Sequence, residues 1–135
     1  MKTITTWKSD YLFDSSFRNY HITMDDVSVS GKDDSGFSPK ALLLSSLAGC
    51  TAIDVVSILN KMKAPFTGIR IETMASLTEE HPKVFTEIII EYFVKIPVEF
   101  EDKVKRAVEL SLEKYCGVAA MLRKQCPIHA KVILE

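Results

Sequence analysis

SPKALLLSSLAGCTAIDVVSIL, residues 38–59, decides the fold. Ser38 fits an N-cap and Pro39 the first helical position. Lys61 and Lys63 place cations near the far end, and Pro65 stops the helix. The helix is apolar on almost every side, so it must be covered all round by sheet, by other helices or by a second subunit. Its length reaches the lower limit for a membrane span. However, Ser45, Ser46, Gly49, Thr51, Asp54 and Ser57 interrupt it, and Asp54 is expensive in lipid. The reading is a helix packed inside protein, with no membrane.

Outward from this helix the chain reads as α+β. Residues 2–24 suggest short strands: Thr3 to Trp7 is β-rich, Tyr11 to Phe13 is aromatic, and Tyr20 to Met24 alternates. Residues 25–37 are polar and turn-rich and read as a mobile loop. After the helix, residues 69–78 alternate, EEHP turns, and VFTEIIIEYFVKI follows as a long strand. That strand places Val84, Thr86, Ile88, Ile90, Tyr92, Val94 and Ile96 on one face, and its length suits a reach toward a partner chain. A second helix spans Val98 to Tyr115 with Val104, Ala107, Val108, Leu112 and Tyr115 inward. VAAML forms a brief third helix, and IHAKVIL closes the chain as a strand. The sum is one domain, 1–135, with antiparallel sheet packed on helices.

Composition excludes several function classes. The 135 residues are 47% hydrophobic and 26% charged, an ordinary soluble composition. Lys plus Arg number 17 against 18 Asp plus Glu, a balance unlike that of a nucleic-acid binder. Met1 to Asp10 lacks the apolar core of a signal peptide, so a cytoplasmic location is expected, where structural disulfides are rare. Cys50, Cys116 and Cys126 lie far apart. No C-x-x-C pair or His-rich cluster points to zinc, so no metal is expected.

The cysteines differ in setting. Cys50 sits mid-helix among Ala48, Gly49, Thr51 and Ala52. Small neighbours suit tight packing and equally suit a pocket over the sulfur, and free Cys is among the most buried residue types. Cys116, beside Gly117 at the start of the third helix, has a local reason to be reactive, because a helix N-terminus favours the thiolate. Asp54, one turn after Cys50, opposes ionisation there unless a cation pairs with it. The plainer reading of Asp54 is a buried carboxylate tied to a basic or hydroxyl partner. Cys126 reads as structural. His21, His81 and His129 read as surface or structural residues.

SPKALLLSSLAGC resembles the SPxxLLLAALAGC segment of the OsmC family, which holds osmotically induced and organic hydroperoxide resistance proteins. EKYCGVAAML resembles that family's second cysteine motif. AIDVVSIL and EKYC are most similar to the YhfA-like branch. The resemblance covers nearly the whole chain. It implies an OsmC-like fold: an intertwined homodimer, with sheets from both chains wrapped around the long central helix. It also implies that Cys50 is the peroxidatic thiolate and Cys116 the resolving thiol. They would reduce a small, apolar organic hydroperoxide and be restored by a dithiol reductant, with no metal or organic cofactor. Peroxidatic members carry a glutamate ten residues before the first cysteine, paired with an arginine. Here Lys40 stands at that position, roughly 15 Å along the axis from Cys50, and Arg18, the one arginine near the N-terminus, reads as a surface residue. Two further readings stand beside the peroxidase: a dimer that binds a small apolar ligand or senses redox state without turnover, and a dimer whose cysteines only pack.

Overall fold

The computed structural model describes residues 1–26 and 35–135, which form two compact units, Met1–Leu43 and Leu44–Glu135. Residues 27–34, most of the stretch read as a mobile loop, lie outside the described residues.

The first unit is an antiparallel meander of β1 (Ile4–Ser9), β2 (Leu12–Phe17) and β3 (Tyr20–Met24). Ser9 pairs with Leu12 and Phe17 with Tyr20, leaving two-residue turns at Asp10–Tyr11 and Arg18–Asn19. Asp10 and Arg18 take positive φ, 43° and 56°, as tight hairpin turns demand. Arg18 is thus an exposed turn residue, its guanidinium 5.3 Å from the centre of the Phe17 ring. The three strands leave Trp7 61% and Tyr20 77% exposed.

Helix α1, Pro39–Lys61, begins where the sequence indicates. Ser38 Oγ accepts from the Ala41 amide at 3.2 Å, the N-cap bond of a first turn. The helix closes with Lys63 at φ 53° and the Ala64 amide bonded to Leu59 O at 3.0 Å. Lys103 Nζ also donates to Met62 O at 2.8 Å, satisfying a carbonyl that the helix end leaves free. The apolar surface of α1 is not covered all round within this chain. Leu47, Thr51, Val55 and Leu59 form the one fully buried stripe, spaced by four. Ile53 is 72% exposed. By length and composition alone α1 suffices to cross a membrane.

In the second unit, β4 (Gly68–Leu77) and β5 (Phe85–Lys95) form the expected hairpin. Ile88, Ile90, Tyr92 and Val94 of β5 are buried, but the strand's first inward residue is Phe85, while Thr86 is exposed. The pairing shifts between Ser76 and Leu77, so Leu77 faces Phe85; this irregularity changes which residues point inward. A 3₁₀ turn, Val98–Phe100, leads into α2 (Glu101–Leu110), then a π-helical turn, Ser111–Tyr115, and α3 (Gly117–Leu122). The final strand, β6 (Ile128–Leu134), lies beside β5 and runs parallel to it. This corrects the wholly antiparallel expectation. Two helices intervene between β5 and β6, and such a crossover is what a parallel neighbour requires.

The π turn also alters the predicted inner face of the second helix. Val104, Ala107, Val108 and Leu112 are buried as expected, but Tyr115 is 54% exposed and Ser111 takes a buried place. The extra residue of a π turn resets the helical phase. Its closing bond runs from the Cys116 amide to Ser111 O at 2.7 Å. Arg123 Nη2, just past α3, donates to Leu112 O at 2.9 Å and ties the turn to the helix after it.

Candidate active site

The site lies in the second unit and is built from three elements. Helix α1 supplies Cys50, Thr51 and Asp54, β5 supplies Tyr92, and the π turn with its exit supplies Ser111 and Cys116. Cys50 and Asp54, four apart, share a face of α1. Across from them stands Cys116, and the two Sγ atoms and an Asp54 carboxylate oxygen all lie within 4.8 Å of one another. The two cysteines singled out from the sequence, 66 positions apart, therefore meet, and both are free thiols. Cys126 is also free and buried, away from this cluster, with its thiol pushed up by burial and then by Glu87.

Cys116 is the N-cap of α3, and its Sγ accepts from the Ala119 amide at 3.4 Å. The expectation of an ionised thiol there is reversed. Burial, reinforced by Cys50 as hydrogen-bond partner and neighbouring charge, pushes Cys116 up to about 11, against the opposing amides of Ala119 and Val118. Desolvation of the charged form outweighs one short helix terminus. Cys116 is 2% exposed, whereas Cys50 is half-buried. Of the two, Cys50 is the more exposed.

Behind the sulfurs runs a buried chain of hydroxyls. Thr51 Oγ1 lies 2.8 Å from Tyr92 Oη and 2.9 Å from Ser111 Oγ, and Ser111 Oγ donates to Asp54 Oδ2 at 3.0 Å. Each hydroxyl has one proton to give. Ser111 spends its proton on the carboxylate, so it accepts from Thr51, and Thr51 in turn accepts from Tyr92. The chain is thereby oriented from phenol to carboxylate. Burial pushes the Tyr92 phenol up to about 12, against the Thr51 bond, with Cys116 and Asp54 adding to the rise. Asp54 thus has the hydroxyl partner foreseen for it. The roles of Thr51, Tyr92 and Ser111 were missed, although the signal was there: Thr51 precedes Asp54 by one turn on an apolar helix, and Ser111 falls seven residues after Val104 on the buried stripe.

Asp54 also lines an open cleft of about 430 Å³, whose wall includes Ile58, Met62, Leu110 and Tyr115, with Lys61 at the same face of α1. The arrangement offers a shielded thiol, a more exposed thiol, an oriented carboxylate and a cleft of mixed polarity beside that carboxylate.

Residues 31–131 match the sequence model of the family described as OsmC-like protein. The chain belongs to the OsmC-like family. Within it, the chain is similar to Protein YhfA of Escherichia coli K12, 41% identical over 87 residues. That match spans 64% of this chain and 65% of YhfA, just under two thirds of that relative's own length. A solved structure of a hypothetical protein from Aquifex aeolicus VF5 is 30% identical, with a TM-score of 0.82 over 99% of this chain and 96% of that one. The fold is shared more widely. The organic hydroperoxide resistance protein OhrB of Bacillus subtilis is 14% identical, with a TM-score of 0.70 over 98% of each chain. This OsmC-like chain accordingly has the α+β fold of a family in which some members are organic hydroperoxide resistance proteins.

Proposed function

We propose that the chain reduces organic hydroperoxides through a two-cysteine cycle, as a cytoplasmic homodimer. The observation that carries this reading is the meeting of Cys50 and Cys116 within 4.8 Å. The Cys50 thiolate attacks the outer peroxide oxygen, the O–O bond breaks, and the departing alkoxide takes a proton and leaves as an alcohol. Cys50 is then a sulfenic acid. The Cys116 sulfur attacks it, the S–S bond forms, and water leaves with the sulfenic oxygen. Reaching the bonded separation of about 2.05 Å needs an approach of less than 3 Å or so. A dithiol supplies the two electrons and two protons that restore both thiols by exchange. The cleft beside Asp54 sets Ile58, Met62, Leu110 and Tyr115 beside the polar Asp54, Ser57 and Lys61, and its apolar wall gives alkyl and aromatic hydroperoxides a surface that hydrogen peroxide does not use. The homodimer is supported by the apolar surface that α1 and the first sheet leave uncovered, Ile53 and Trp7 among it.

The test is thiol loss from the reduced protein on mixing with cumene hydroperoxide. Loss faster than from Cys50→Ser, with a 50–116 disulfide as product by mass spectrometry, supports the cycle. Equal rates refute it. A second reading, ligand binding or redox sensing without turnover, draws on Lys40 at the family's glutamate position and on the acidic side chain of Asp54 beside Cys50. Native mass spectrometry of the purified protein separates it: a co-purified apolar acid favours binding, an empty and recycling protein favours turnover.

A further inference from the structure

We propose that Cys50, Asp54 and Cys116 form a three-ligand site for a divalent cation of the zinc class. The proposal goes beyond the peroxide cycle and stands on the juxtaposition of these atoms, whether or not that cycle operates. Two thiolates and one carboxylate make a borderline-to-soft donor set, which selects zinc over magnesium or calcium. In a tetrahedral zinc site, metal–sulfur bonds of about 2.3 Å hold the sulfurs roughly 3.8 Å apart. The three donor atoms already lie within 4.8 Å of one another, so closure needs a shift of about an ångström. The ligands sit on two rigid elements, α1 and the N-cap of α3. Ser111 Oγ holds one oxygen of the Asp54 carboxylate at 3.0 Å, the kind of outer hydrogen bond that orients a metal ligand. Asp54 borders the cleft of about 430 Å³, which gives the ion an entry path and leaves the fourth position for water.

Binding replaces two thiol protons by one cation and releases both protons to solvent, so affinity rises with pH. The buried, reluctant Cys116 thiol is ionised by the metal itself. Because both sulfurs are ligands, the metal-bound and disulfide states exclude one another. A hydroperoxide that takes two electrons from the two thiolates and, with two protons, leaves as alcohol and water joins the sulfurs and expels the ion; the bound ion in turn withholds the pair from such oxidants.

The experiment titrates the reduced full chain with Co²⁺, without hydroperoxide, and reads the thiolate-to-cobalt charge-transfer and visible bands of a tetrahedral site. One Co²⁺ per chain is expected, displaced by Zn²⁺. Cys50→Ser and Cys116→Ser should each weaken binding at least about tenfold, and Asp54→Asn should do so while keeping the thiolate bands, by comparison with the cost of disturbing outer-sphere partners. Cys126→Ser should change nothing. A wild-type measurement guards against variants that fail to fold: Zn²⁺ should protect Cys50 and Cys116, but not Cys126, from alkylation, read residue by residue. The proposal is overturned if reduced protein shows no thiolate band at a large excess of cobalt. It is equally overturned if Cys116→Ser keeps the band at full strength, or if Zn²⁺ leaves Cys50 as reactive as before. Each of these outcomes is independent of whether the protein turns over peroxide.

Discussion

Replacing Thr51 by Val tests the oriented hydroxyl chain. The side chains are close in size, and Thr51 is fully buried, so the change swaps one hydroxyl for a methyl with little room to rearrange. The Tyr92 phenol, whose oxygen stands 2.8 Å from Thr51 Oγ1, is left with a buried proton and no acceptor. Stranding a buried donor costs about 1–3 kcal/mol. Ser111 keeps its bond to Asp54 and loses only an incoming donor, about a further 0.5 kcal/mol. The total is about 1.5–3.5 kcal/mol, and for a chain of this length the melting temperature falls by about 5–12 °C. Tyr92→Phe alone should cost less, about 1 kcal/mol, because the phenol leaves together with its need for a partner. The double variant should therefore be no less stable than Thr51→Val, and the coupling should be positive. Urea unfolding followed by circular dichroism at fixed protein concentration measures all four proteins. A Thr51→Val protein within 0.5 kcal/mol or so of wild type, or a double variant that sums the two single losses, would refute the orientation assigned to the chain.

Ile53→Glu places a charge at an exposed position of α1 and tests the proposed homodimer: a lower sedimentation coefficient than wild type at the same protein concentration is expected, whereas an unchanged one removes Ile53 from the proposed contact. Leu59→Ala, at a fully buried position, should cost about 2–5 kcal/mol by chemical denaturation, and Leu43→Ala, at a half-exposed one, much less. Alkaline stability follows from the raised groups. Cys116 at about 11 and Tyr92 at about 12 hold their protons more tightly folded than unfolded, where they titrate near 9 and 10. Their contribution is complete below pH 9 and is lost as pH rises toward 12; in Cys116→Ser the part of that decline between 9 and 11 should shrink.

Much of the architecture was legible because local signals agree with one another. Ser38, Pro39 and Pro65 bound α1 to within a few residues, and the alternation of residues 69–96 locates the β4–β5 hairpin. Pairings set by distant segments left no such trace. Nothing in IHAKVIL distinguishes a parallel from an antiparallel neighbour, since strand direction there depends on the helices that carry the chain back. The two cysteines came from resemblance of their flanking motifs, not from periodicity, which treats Cys50 as filler. The upward push on the Cys116 thiol has no trace in the sequence, because a helix N-terminus is visible there and desolvation is not. Thr51, Tyr92 and Ser111 each look like an interruption or a coincidence until three elements are packed together.

The π turn at Ser111–Tyr115 gives the chain between α2 and α3 the character of a vernier. Ser111 faces inward in step with Val104, and after it the wide turn brings the Cys116 sulfur opposite Cys50. Excising a single residue there would turn the i→i+5 bond from the Cys116 amide to Ser111 O into an ordinary i→i+4 bond and change how the chain enters α3. Substitutions in Glu113 or Lys114, both on the solvent side, leave that setting untouched. Past the buried Ser111 and Leu112, the count of residues in this stretch matters more than their identity.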